Sequence, residues 1–187
     1  DRIQCHERKE KPMKKYLKFI NLFSSLLAFI GAVLIISTTG IVSVSGNQKN
    51  NLASGVETMF GNNQLTGTPL AVISFFFALI GSLASLVISF LFIKKAAKNE
   101  TTDYYTLLSC CLFYLLSGIL TFCVASHFAS INGLKNSSLF SLKLGGGYIT
   151  AGVLFLISFA IGLIDPVIYF LDLKNKSKAE NKDSSQK

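Results

Sequence analysis

The chain has no tryptophan, only three prolines in 187 residues, and little charge. Asp, Glu, Lys and Arg make up 15% of it, against roughly 25% in soluble domains. The charges also leave long gaps. None falls between Lys18 and Lys49, Glu57 and Lys94, Asp103 and Lys135, or Lys143 and Asp165. Each gap holds an apolar stretch above the ~18 residues that mark a candidate membrane helix. Half of the residues are hydrophobic and the mean hydropathy is +0.49. Four such stretches with short connections leave no room for a separate soluble domain.

Cysteine is sparse where it would matter outside a cell. Cys5 lies in the N-terminal tail, and Cys110, Cys111 and Cys123 lie in the third apolar stretch. Loops 45–68 and 130–146 contain none, which excludes a disulfide between them. No CxxC or Cys/His spacing suits a metal. Gly145-Gly146-Gly147 lacks the Gly-Lys-Ser/Thr ending of a phosphate loop and reads as a flexible lead-in to the fourth span. The apolar stretches supply one Asp, one His and three Cys, too few and too scattered for a catalytic cluster. The sequence therefore predicts no enzyme, no catalytic or metal-binding residue and no cofactor. His127, alone near the outer end of the third span, reads as a hydrated interface residue.

What is present predicts an all-α integral membrane protein: four transmembrane helices in an up-down bundle, at about 17–42, 69–93, 105–129 and 147–171. Basic tails at 1–16 and 175–187 flank a transmembrane domain at 17–174. The net charge of +8 does not point to nucleic acid, because of where it sits. Fifteen Lys and Arg lie in the two tails and the middle loop, and three lie in the other two loops: Lys49, Lys135 and Lys143. Such a bias places both termini in the cytoplasm. Lys14, Lys15, Lys18, Lys94, Lys95, Lys174 and Lys176 are then expected against anionic headgroups, each contributing on the order of 1 kcal/mol. Five of the six tyrosines fall near span ends, where an amphipathic ring suits the headgroup zone. The run from Met13 has the basic start of a signal peptide but a longer apolar core, and reads as an uncleaved first helix.

Small residues recur every fourth position, which lets helix backbones approach closely in lipid. The first span offers Ser24, Ala28 and Ala32. The second offers two rows, Ser74-Ala78-Ser82 and Gly81-Ser85-Ser89, and is thereby expected to be central. The third offers Ser117-Thr121-Ala125 beside Gly118, and the fourth Ser158 and Gly162. Thr68-Pro69 is a helix start, with an N-cap hydroxyl and proline at the first position. The hydroxyls of Ser37, Thr38 and Thr39 are expected to bond back to the backbone and loosen the first helix before residue 42.

Asp165-Pro166 raises a separate question, because the stretch is apolar on both sides. On a continuous helix Ser158, Gly162, Asp165, Tyr169 and Asp172 share one small, polar face. A carboxylate at that depth must be paired, neutralised or hydrated. Lys14, Lys15, Lys18, Lys94, Tyr104 and Tyr105 are the candidate partners. Asp-Pro is also a helix-start signal, so the sequence predicts a kink there, with the helix resuming to about residue 174.

The four-span layout resembles that of claudin-type, tetraspanin and MARVEL-type membrane proteins, in layout alone. The chain lacks the Trp and paired outer-loop Cys of claudins. Its Cys110-Cys111 is followed by Leu112 rather than the Gly of the tetraspanin motif. No functional residue is carried over. The expected role is that of a structural or accessory subunit in a plasma or cell membrane, with the lipid bilayer and other membrane proteins, or its own copies, as partners. The alternative is a pore-forming or transport subunit working as a homo-oligomer.

Overall fold

The structure is a computed structural model that describes residues 12–94, 100–135 and 141–184; for 12–18, 100, 176 and 178–184 it describes the backbone alone. Four helices are long and apolar enough to cross a membrane. They are α1 (Pro12–Ser37), α3 (Pro69–Ile93), α4 (Glu100–Ile131) and the pair α5 (Gly146–Gly162) and α6 (Ile164–Ser184). The 25 residues of α3 reach about 37 Å at ~1.5 Å per residue, more than the ~30 Å of a hydrocarbon core.

The chain is not all helix. Strands β1 (Thr39–Ser45), β2 (Gln48–Ser54) and β3 (Ser141–Leu144) form an antiparallel sheet in the order β2-β1-β3. The first helix therefore stops at Ser37, short of the expected residue 42. Its end has a local cause. Ser37 Oγ donates to the Val33 carbonyl at 2.8 Å and Thr38 Oγ1 to the Leu34 carbonyl at 2.7 Å. Beyond them, Thr39, Ile41, Val42 and Val44 are β-branched and favour a strand. Gly46 then takes φ 55, which a two-residue hairpin loop requires, and the chain returns as β2.

The sheet sits on one end of the bundle. Ile41 and Ala53 are buried, and Leu142 and Leu144 pack on the same core as Ile35, Phe128, Tyr148 and Phe155. That end gathers the C-terminus of α1, the N-terminus of α3, the C-terminus of α4 and the N-terminus of α5. Three ties hold them. Thr68 N–H donates to the Thr58 carbonyl at 2.8 Å. Asn132 clasps the backbone of Thr66, accepting its N–H at 2.7 Å and donating to its carbonyl at 3.0 Å. The Tyr148 hydroxyl donates to the Gly55 carbonyl at 3.2 Å. At the opposite end, aromatic rings join α3, α4 and α6. Tyr104 stacks on Tyr169 with centroids 3.9 Å apart, and Phe92 lies 5.0 Å from Tyr104.

A short helix, α2 (Gly55–Phe60), links the sheet to α3. It opens with a reciprocal cap: Glu57 N–H donates to Ser54 Oγ at 3.3 Å, and Ser54 N–H donates to Glu57 Oε2 at 2.8 Å. The bond from the Ser54 backbone, with those from the Asn62 and Ser54 side chains, holds the Glu57 carboxyl below its ordinary range. Gly55 presses on the last turn of α1. Its N–H donates to the Thr38 carbonyl at 2.7 Å, and a Cβ there would overlap the Ile35 carbonyl. Gly145 and Gly147 are packed as closely. A Cβ would overlap the Thr39 carbonyl at the first and the Thr38 side chain at the second. Two of the three glycines in the run thus make close contact with the α1–β1 junction.

Each long helix packs against two others, in the cyclic order α1, α3, α4, α5. The second span touches neighbours on two sides, as its two rows imply, but so does each of the others. Gly55→Ala is expected to lower the thermal unfolding transition in detergent by the equivalent of about 1–3 kcal/mol, because backbone cannot move aside. Gly146→Ala, with nothing within 4 Å, is expected to leave it unchanged.

Candidate functional site

Hydroxyls and small side chains form the seams between the helices of the bundle. On α1, Asn21, Ser24, Ser25, Ala28 and Ala32 are buried. On α3, Ser74, Ala78 and Ser82 form one buried row, and Gly81, Ser85 and Ser89 a second. Ser117, Gly118 and Thr121 on α4 are buried, with Ala125 only partly so. Ser158 and Gly162 on α5, then Asp165 and Pro166 on α6, complete the lining. Many large apolar side chains point the other way, although Ile35, Tyr114, Phe128 and Phe155 are buried. Phe23 and Ile30 on α1, Phe76 and Ile80 on α3, and Ile119 on α4 are exposed.

Why the small side chains face inward follows from what they touch. A Cβ at Gly81 would lie 3.1 Å from the Tyr114 ring, and one at Gly118 would lie 2.8 Å from Leu156. One at Gly162 would meet Ser24 Oγ at 2.7 Å and Cys111 Sγ at 3.0 Å. The hydroxyls then bond across the seams. Ser25 Oγ meets Ser85 Oγ at 2.6 Å between α1 and α3. Ser74 Oγ reaches Thr121 Oγ1 at 2.6 Å and the Ser117 carbonyl at 2.9 Å, between α3 and α4. The Tyr114 hydroxyl donates to the Gly81 carbonyl at 3.1 Å across the same seam. Ser24 Oγ donates to the Ser158 carbonyl at 2.7 Å between α1 and α5. A hydroxyl in hydrocarbon has no water to turn to, so each of these contacts replaces an unmade bond. Ser89, Ser117 and Ser158 are the buried hydroxyls without a partner among the described residues.

Among the described residues, Asp165 is the one buried carboxylate. It is 3% exposed, and Asn21, 2% exposed, donates Nδ2 to its Oδ2 at 2.6 Å. The helix breaks beside it. α5 ends at Gly162, Leu163 is a single turn residue, and α6 begins at Ile164. Leu163 N–H still donates to the Phe159 carbonyl at 3.1 Å, and Val167 N–H to the Leu163 carbonyl at 3.2 Å. Pro166 has no N–H to give to Gly162, so one rung of the ladder is missing. α6 then runs to Ser184, past the expected residue 174. Ser158, Gly162 and Asp165 face inward, Tyr169 is half-buried, and Asp172 is exposed.

Asn21 was legible, as the lone amide in the first apolar stretch and one turn before Ser24 and Ser25. Lysines and tyrosines drew the sequence reading instead. The side chains of Lys14, Lys15 and Lys18 lie outside the described residues, as do those of Lys95 and Lys176. Lys174 is exposed, and Lys94 is exposed with its Nζ 4.5 Å from the centre of the Phe90 ring. His127 is not simply hydrated, because its Nδ1 lies 2.7 Å from Thr68 Oγ1. Thr68 is fully buried and gives its hydroxyl to that contact rather than to the start of α3. Cys110 and Cys111 are buried and Cys123 is exposed.

Among the described residues no group of three His, Cys, Asp or Glu could hold a metal ion. The arrangement holds a carboxyl group against an amide in a buried seam. No protein-family model, curated protein or solved structure matches this chain.

Removing Asn21 takes one hydrogen bond from a buried carboxyl group. Asn21→Leu is expected to destabilise the protein in detergent by about 1–3 kcal/mol. Combined with Asp165→Leu, it is expected to cost less than the sum of the two changes, by at least ~0.5 kcal/mol. Thermal unfolding of the two single variants and the double variant checks both.

Proposed function

We propose that this chain is a non-enzymatic four-span membrane protein, acting as a structural or accessory subunit by associating with other membrane proteins or its own copies. Its membrane is a plasma or cell membrane. Both termini lie in the cytoplasm, on the strength of fifteen basic residues against three. The sheet end, carrying Lys49 and Lys143, then faces outward.

One observation carries the reading. The small and hydroxyl-bearing rows, which are the usual means of helix association, are buried inside a single chain, where Ser24, Ser25 and Ser74 bond across to neighbouring helices. They are not left over for a partner helix. What remains for association is the bulky outer belt and the sheet, whose edge strands are β2 and β3. The same observation weighs against the second reading, a homo-oligomeric pore or transport subunit. A water-filled path between copies would need polar rows on the outside, where Ile80, Leu83, Val87 and Phe90 stand on α3.

Extraction from the native membrane in mild detergent tests the proposal. A complex with different chains, or a self-assembly that carries no ion or solute flux in liposomes, is expected. Flux that a bulky substitution at Ser82, Ser85 or Thr121 alters would establish the pore. Turnover of a substrate lost in Asp165→Asn with stability unchanged would establish an enzyme.

A further inference from the structure

Helix α2 is held outside the four spans, yet it is tied to the ends of two of them. Gly55 N–H bonds to Thr38 at the end of α1, and the Thr58 carbonyl accepts from Thr68 at the start of α3. Three different sides result. Gly55, Thr58 and Met59 are buried against the bundle. Glu57 carries charge, bonded to Asn62 and Ser54 beside the polar loop. Val56 and Phe60, four residues apart and so on one face, are 45% and 66% exposed. Phe60 is the most exposed large hydrophobic side chain of the described residues.

We propose that Val56 and Phe60 insert into the bilayer at the headgroup boundary of the leaflet on the sheet side, making α2 an interfacial anchor. The occupant of this face is lipid, for reasons of position and chemistry. A Cβ at Gly55 would meet the carbonyls of both Ile35 and Ile36, so α2 begins against the last turn of α1. Ile36 and, one turn into α3, Ile73 belong to the exposed apolar belt. With α2 starting at that point, its Val56–Phe60 face would extend the belt at its upper rim. An acidic side toward water, an apolar side toward acyl chains and a third side on protein is the division an interfacial helix needs. The anchor would fix the height of the bundle and sheet relative to the leaflet. It is independent of whether the chain is an accessory subunit or a pore.

The absence of tryptophan makes the test direct. Phe60→Trp creates a single reporter in the full chain, to be reconstituted in phosphatidylcholine bilayers with bromine near the glycerol end or near the chain end of the lipid. An interfacial helix sits about 5–10 Å into the boundary, so shallow bromine should quench roughly twofold more than deep bromine, with little effect of aqueous iodide. Val56→Trp is read the same way, as a second site should the first variant fold poorly. Asn63→Trp, in the exposed polar loop, is expected to respond to iodide alone. Strong iodide quenching without bromine quenching at both positions would place the face in water and overturn the proposal. Insensitivity to both quenchers would mean that protein, a second copy or a partner, covers the face, and would overturn it equally.

Discussion

Inside a bilayer a hydroxyl can find a hydrogen-bond partner only on protein, and this constraint organises the bundle. The spans carry many serines and threonines. Placed outward, each would face hydrocarbon. Placed inward, they need helices close enough to bond side chain to side chain or to a carbonyl. The glycines and alanines between them permit that approach, as at Gly81 under Tyr114 and Gly162 against Ser24. Small size and polarity are therefore one feature here. The small residues bring the backbones together, and the hydroxyls then bond across the gap they leave.

The two ends of the bundle close by different means. At the sheet end, β1 grows directly out of α1, and its partners β2 and β3 come from the two loops on that side. Backbone pairing thus joins loops that no disulfide could join. At the other end, stacked tyrosines and phenylalanines hold α3, α4 and α6 together where α5 gives way to α6. Asp165 lies between that aromatic floor and the hydroxyl seam. Its amide partner on α1 ties the broken fourth span to the first.

Much of this was legible in the sequence, and the reasons differ by element. Charge gaps marked the helices well, because burying Lys or Asp in hydrocarbon is costly enough to keep them out. Pro69 marked the start of α3 to the residue. The sheet was missed because hydropathy cannot tell a strand from a helix end. Ile41, Val42 and Val44 are as apolar as any membrane residue, and they continued the first charge gap. The signal was there in the β-branched run and the Gly46-Asn47 pair that follows it. β3 is four residues long, too short for periodicity to show. At Asp165 the polar face and the interruption could be read from spacing and from proline. Its amide partner Asn21 was legible as well, as the lone amide of the first apolar stretch, but a cation is the stronger expectation for a carboxylate at that depth and drew attention from a neutral group on another helix.

The central claim is that the hydroxyl rows join helices within one chain rather than between chains. It can be tested at the Ser25–Ser85 contact, where the two oxygens are 2.6 Å apart. In a chain whose native cysteines are replaced by alanine, Ser25→Cys and Ser85→Cys would be introduced together, with a protease site in loop 61–67. After mild oxidation in the membrane, the account predicts a chain of monomer mass whose two fragments stay joined until a reductant is added. Disulfide-linked dimers, with fragments that separate in any remaining monomer, would contradict it.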